Sequence, residues 1–203
     1  MGFASKVKTL GAVLVGGAST RFGSDKSLAR LGDTTMLQVI HENLSAAGLD
    51  SFAYVGGRAR EGFNPTFRHV PDEIADVGDG EQSSLRGVLA ALTHAWTTGL
   101  EAVVILGCDV PLVTTNTIQR LVSALDVSDV SVAECDGDHW SILAARVDIR
   151  EHVLAQYLAG QRAIHQALTD LRISRVACTT TECTNVNDVA TLQLITENRS
   201  SDV

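Results

Sequence analysis

Short apolar runs alternate with stretches of helical periodicity along the whole chain. The first run, Thr9 to Val15 (TLGAVLV), leads into two glycines and predicts a buried strand entering a tight loop. Thr34 to Ala47 then places Met36, Leu37, Ile40 and Leu44 at helical spacing and stops at Gly48, which predicts a helix with glycine just past its end. Strands are expected at Ser51 to Val55 and Phe67 to Val70, followed by a helix from Ser83 to Trp96 with Leu85, Val88, Leu89 and Leu92 on one face. Glu101 to Leu106 (EAVVIL) is apolar almost throughout, the pattern of a central parallel strand covered on both faces, and it runs into Gly107-Cys108-Asp109-Val110-Pro111.

Beyond Pro111 the pattern predicts helices at Thr115 to Leu125, Ile149 to Tyr157 and Ala163 to Leu171. Strands are expected at Val130 to Ala133, Ser141 to Ala145 and Ser174 to Cys178, and a last helix from Asp188. No repeat or low-complexity tract interrupts this order. Strand and helix in alternation imply an α/β protein: a three-layer α/β/α sandwich with a Rossmann-like, mostly parallel sheet, right-handed crossovers, and a ligand crevice outside the carboxyl ends of its strands. The 203 residues suit one domain, expected over 1–197, with 198–203 a flexible tail.

Composition narrows the chemistry. The formal charge is −8 and only nine aromatic residues are present, so the basic surface and stacking platforms of a nucleic-acid binder are missing. No apolar run reaches the length of a membrane span and Met1 to Lys8 lacks the pattern of a signal peptide, so no membrane partner and a cytoplasmic location are expected. Cys108, Cys135, Cys178 and Cys183 show no C-x-x-C spacing and no histidines at ligand spacing; they read as reduced thiols, and zinc is not indicated.

Two segments carry candidate chemistry. Leu14-Val15-Gly16-Gly17-Ala18-Ser19-Thr20-Arg21-Phe22-Gly23-Ser24-Asp25-Lys26 sets three glycines, hydroxyl groups and two cations directly after a buried strand. Its backbone amides can approach an anion while Arg21 and Lys26 supply positive charge, which outlines a polyphosphate cradle. The register of a P-loop fails, because no glycine precedes Lys26, and G-x-G-x-x-G is absent. The second segment puts Asp109 at the carboxyl end of the central strand, a position suited to holding Mg²⁺ together with substrate phosphates; a turn or capping role before Pro111 is the competing reading.

Together, GGASTRFGSDK and the later CDVP resemble the molybdenum cofactor guanylyltransferases, within the nucleotide-sugar-pyrophosphorylase-like nucleotidyltransferases. Leu14, Gly16, Gly17, Ser19, Arg21, Gly23, Asp25 and Lys26 fall in register with that family's L-A-G-G-x-S-x-R-M-G-x-D-K, and Val15 and Phe22 depart from it while staying apolar. Softer matches are Pro71-Asp72 to a P-D pair near the nucleotide, Gly160-Gln161-Arg162 to a late G-x-R, and Asn185-Val186-Asn187 to the start of N-x-N-T-P-E-D-L, whose next residues are replaced by Asp188-Val189-Ala190-Thr191. Gly80 to Gly87 (GEQSSLRG) lacks the family's G-P-L-A-G and is similar instead to the S-S-L-x-x-G of cytidylyltransferase relatives, with one residue fewer before its glycine. The double glycine and the D-V-P triplet favour GTP; room for a purine beside Gly16 points the same way.

The resemblance implies GMP transfer from Mg²⁺-GTP to the phosphate of molybdopterin, with release of pyrophosphate. Arg21, Lys26 and Asp109 are the catalytic candidates. Leu14, Val15, Gly16, Gly17, Ser19, Arg21, Lys26, Asp72 and Asp109 are the candidates for nucleotide contact, with Asp109 as metal ligand. It also implies transient docking to molybdoenzymes or their chaperones. A cytidylyltransferase, a nucleotidyltransferase with another phosphorylated acceptor, and a non-catalytic nucleotide-binding regulator remain open.

Overall fold

The computed structural model describes residues 7–15, 25–59, 64, 66–72 and 83–201. Its elements, in chain order, are β1 (Thr9–Leu14), β2 (Arg30–Leu31), β3 (Thr34–Thr35), α1 (Met36–Ala46), β4 (Ser51–Val55), β5 (Phe67–Val70), α2 (Ser84–Thr97), β6 (Ala102–Gly107), α3 (Thr115–Ala124), β7 (Val130–Glu134), β8 (Asp138–Arg146), α4 (Arg150–Leu158), α5 (Ile164–Leu168), β9 (Ile173–Ala177) and α6 (Val189–Ser201). Each expected strand and helix is present within a few residues of its expected bounds. Beyond the expectation, the short β2 and β3 pair as an antiparallel ribbon. α6 runs through Asn198 to Ser201.

Local chemistry explains the helix limits. Thr35, Ser83 and Thr114 each accept a hydrogen bond at the helix start, from the main-chain N–H of Gln38, Arg86 and Thr117 respectively, satisfying donors that a helix leaves unpaired. At the other end Gly48 follows α1 with φ +77°, the left-handed conformation that terminates helices and suits glycine.

Seven strands form one sheet in the order β5-β4-β1-β6-β8-β7-β9. β5, β4, β1 and β6 are mutually parallel, β8 is antiparallel to both β6 and β7, and β9 is parallel to β7. The mostly parallel sandwich expected from the sequence is therefore present, with β8 as its one reversed strand. The reason is the connection: β7 turns into β8 through Cys135-Asp136-Gly137, where Asp136 and Gly137 have φ of +55° and +135°. So short a link cannot carry the crossover that parallel strands require.

Residues of alternating strand positions face two cores. Leu10 and Ala12 of β1 with Val103 and Ile105 of β6 pack beneath α2, α4 and α5. Val13 with Val104 and Leu106 packs beneath α1 and α3. Ala102 to Leu106 have no solvent exposure, as a strand covered on both faces requires. A smaller third cluster joins Leu192 and Ile195 of α6 to Leu31, Met36, Val39 and Val186, which fastens the C-terminal helix over the β2–β3 ribbon.

The chain order places the functional edge. From β1 it proceeds to β4 and β5 on one side, then returns across the sheet to β6 on the other side of β1. The carboxyl ends of β1 and β6 thus flank the point where strand order reverses, the position at which open α/β sheets form ligand crevices.

Candidate active site

The exit of β1 is fixed by its neighbours. Leu14 O accepts from Cys108 N at 3.0 Å, and Val15 N donates to Val55 O at 2.9 Å, so the main chain enters the glycine-rich segment from a rigid edge. Gly16, Gly17, Ser19 and Arg21 lie outside the described residues. The described chain resumes at Asp25, whose carboxylate accepts from Ser27 N at 3.1 Å and Ser27 Oγ at 2.7 Å, opening a single turn of 3₁₀ helix over Lys26–Leu28.

That turn delivers Lys26 to the end of β6. Lys26 Nζ lies 3.5 Å from Asp109 Oδ2 and donates to Asn187 Oδ1 at 2.9 Å; the Lys26 and Asp109 side chains are 13% and 30% exposed. Two of the candidates separated by 83 positions therefore meet, each reachable from solvent. Gly107 makes room for this arrangement: a Cβ there would fall inside contact distance of Asp109 Oδ1 and 3.2 Å from Ser141 Cβ. The carboxylate folds back over its own strand end because that position has no side chain.

Asn187 is the residue that was not singled out as a site member, although its N-x-N setting was visible. Val186 N donates to Asp109 O at 2.8 Å, so the C-terminal segment is tied by its main chain to Asp109 and by its side chain to Lys26. Asp188, which replaces the family threonine, starts α6 by accepting from Thr191 N at 2.7 Å. The altered NVNDVAT sequence thus keeps Asn187 at the site and makes its departure from the motif a helix cap.

Asp72 follows β5, on the same carboxyl edge two strands from β1. Its carbonyl accepts from Arg86 Nε at 2.6 Å, and Arg86 itself is only 6% exposed. The arginine of SSLRG therefore anchors the Pro71-Asp72 pair from the first turn of α2. One residue on, Gly87 lets α2 approach β1, since a Cβ there would meet Leu14 Cδ2 at 3.1 Å. Gly160-Gln161-Arg162 stands at the end of α4, where Arg162 donates to Tyr157 O and Gln161 O and covers the Tyr157 ring at 4.3 Å. Its described hydrogen bonds stay within that turn. Trp140 is partly buried and packs against the core that α2, α4 and α5 cover.

None of the four cysteines forms a disulfide, and the Cys178 and Cys183 sulfurs are 2.9 Å apart. Among the described residues no group of three or more His, Cys, Asp or Glu side chains could hold a metal ion. A single part-exposed carboxylate at the crevice suits Mg²⁺ that shares its ligands with substrate phosphates and water, and does not suit a cation caged by protein alone.

Comparisons with known proteins place the chain among nucleotidyltransferases. Residues 11–175 match the family described as MobA-like NTP transferase domain. The chain is 30% identical over 152 residues to a molybdenum cofactor guanylyltransferase of Mannheimia succiniciproducens, covering 73% of this chain and 76% of that protein. It is 27% identical over 159 residues to a probable molybdenum cofactor guanylyltransferase of Natranaerobius thermophilus, covering 76% and 71%. In fold it resembles molybdopterin-guanine dinucleotide biosynthesis protein A of Archaeoglobus fulgidus, with a TM-score of 0.73 at 19% identity over 95% of this chain and 99% of that one.

Proposed function

This chain belongs to the MobA-like NTP transferase family, and we propose that it transfers GMP from Mg²⁺-GTP to the terminal phosphate of molybdopterin. The observation that carries the reading is the meeting of Lys26, Asp109 and Asn187 at the switch point of the sheet. The names of the relatives support the acceptor and the base. The domain would span 1–197.

An acceptor phosphate oxygen attacks the α-phosphorus of GTP, the bond from that phosphorus to the oxygen bridging to the β-phosphate breaks, and pyrophosphate leaves. The nucleophile is already an anion, so no activated serine or cysteine is needed, and the protein contributes alignment and charge stabilisation. Lys26 and Arg21 offset charge on the β- and γ-phosphates, and the amides of Gly16, Gly17 and Ser19 bind the same groups. Asp109 would hold Mg²⁺, which supplies further charge neutralisation on the phosphates when bound. Asn187 fixes the Lys26 ammonium, and Leu14, Val15 and Asp72 border the nucleotide. The reaction is cytoplasmic, and transient docking to molybdoenzymes or their chaperones would deliver the product.

A cytidylyltransferase is the second reading, favoured by the Ser83-Ser84-Leu85 sequence at the start of α2. The experiment is pyrophosphate release with Mg²⁺ and molybdopterin, supplying GTP and CTP in separate reactions. Release with GTP is expected. Release with CTP alone would transfer the assignment to the second reading, and silence with both would overturn the acceptor and favour a different phosphorylated acceptor or a nucleotide-binding regulator.

A further inference from the structure

The strongest buried polar cluster outside the residues just assigned surrounds Glu182. This side chain lies in the connection between β9 and α6 and its residue is only 6% exposed. Its Oε1 accepts from Thr114 N at 3.1 Å, Thr114 Oγ1 at 2.7 Å and Thr117 Oγ1 at 2.6 Å, while Oε2 accepts from Thr179 N at 3.0 Å and Thr179 Oγ1 at 3.1 Å. Five donors on one carboxylate, from two separate pieces of chain, satisfy its acceptor capacity in full.

Those two pieces both lead into the site. Thr114 caps α3 five residues after Asp109, and Glu182 stands five residues before Asn187. Between these points Val186 N donates to Asp109 O at 2.8 Å. The carboxylate and the Val186 bond are thus two fastenings of the same pair of segments, and Asn187 emerges directly beyond the second, where Lys26 Nζ meets it at 2.9 Å. The carboxylate also sits at the amino end of α3, where the helix dipole favours negative charge.

The geometry points to Glu182 as a positioning residue of the transfer reaction, holding the 179–187 segment against α3 so that Asn187 sets Lys26 beside Asp109. It touches neither substrate nor metal and acts through Asn187. The inference rests on the nucleotidyltransferase reading above for its catalytic half and on hydrogen bonding alone for its structural half. Burial opposes the charge on Glu182, yet the bonds from Thr114, Thr117 and Thr179 together bring its pKa down to about 2, so it is ionised wherever the enzyme works.

The test compares the full-length protein with E182Q, N187A and the double variant in pyrophosphate release, and follows amide hydrogen exchange on the same samples. E182Q is expected to lower kcat by roughly tenfold or more with a smaller change in KM for the nucleotide. The double variant is expected to be no slower than N187A within about twofold, because removing Asn187 removes what Glu182 positions. Exchange at Val186 should rise by about tenfold or more in E182Q while Val104 and Ile105 of β6 stay protected.

Rate losses that multiply in the double variant, an unchanged kcat, or equal loss of protection across β1 and β6 would each overturn the inference. Thr117→Val removes one donor with little change of shape and carries the same readouts if E182Q does not fold. Should the wild type release no pyrophosphate with GTP or CTP, the functional reading fails separately. Selective loss of Val186 protection would then still support the clamp, and its retention would overturn it.

Discussion

The same carboxylate makes a thermodynamic prediction that does not depend on any activity. Glu182 titrates near 4.5 when unstructured and at about 2 in the folded protein, so its folded-state pKa is depressed. A depressed carboxylate contributes stability that is fully present above the unfolded value and is lost as pH falls through the folded one. The difference of 2.5 units amounts to about 3 kcal/mol at pH 7, of which about 2 kcal/mol is gone by pH 3. Glu182→Gln removes the ionisation while keeping the shape. Unfolding free energies from urea titrations of both proteins, at pH 7 and pH 3, should therefore converge by about 2 kcal/mol on acidification. Asp129, whose pKa is lowered by its hydrogen bonds to Arg172, titrates in both proteins and cancels in the difference. A gap between wild type and variant that stays constant from pH 7 to pH 3 would refute the reasoning, since it would mean that the charge on Glu182 is held no better in the fold than in the unfolded chain.

Two further predictions concern the site itself. Lys26→Ala and Asp109→Ala should each lower turnover by at least roughly tenfold while the thermal unfolding midpoint shifts little, because both side chains stand at the crevice and outside the cores; wild-type rates in either variant, measured by pyrophosphate release, would remove that residue from the mechanism. Gly107→Ala removes no polar group but forces the Asp109 carboxylate away from the new methyl, a shift of roughly 1 Å that is worth up to about a hundredfold in rate. Circular dichroism should report an intact fold in that variant alongside the loss of activity, and full activity would show that the carboxylate has freedom to move without consequence.

Much of the architecture was legible because the hydrophobic pattern and the sheet obey the same period. The run EAVVIL, apolar after its first residue, β-branched and too short for a helix, fits a strand covered on both faces, and Ala102 to Leu106 are indeed wholly buried. The reversed direction of β8 was also present in the spacing: the seven residues between the expected strands ending at Ala133 and starting at Ser141 are too few for a crossover. The β2–β3 ribbon was not legible, since two residues per strand carry no periodicity and its stability comes from α6 packing across it.

At the site, Lys26 and Asp109 were found because each follows a strand in a glycine-bearing segment, a signal that survives without tertiary information. Asn187 carried only a short polar motif, and what assigns it is a bond to a residue 161 positions away. Glu182 gave no signal at all: a glutamate in TTTECT reads as exposed loop, and only the fold reveals that the hydroxyls of Thr114 and Thr117 face it.

The departure at GEQSSLRG acquires a different meaning once its described half is seen in place. Ser83 caps α2, Leu85 is fully buried, Arg86 grips the carbonyl of Asp72, and Gly87 admits Leu14 of β1. Four of its residues are thus engaged in seating α2 on the sheet and fixing the loop after β5. A segment bound this closely to the framework changes with the packing it must satisfy, so its likeness to cytidylyltransferase relatives can arise from how α2 meets β1. Ser83, Leu85, Arg86 and Gly87 therefore answer to the framework before they answer to a base, and the separate GTP and CTP reactions test base preference independently of this segment.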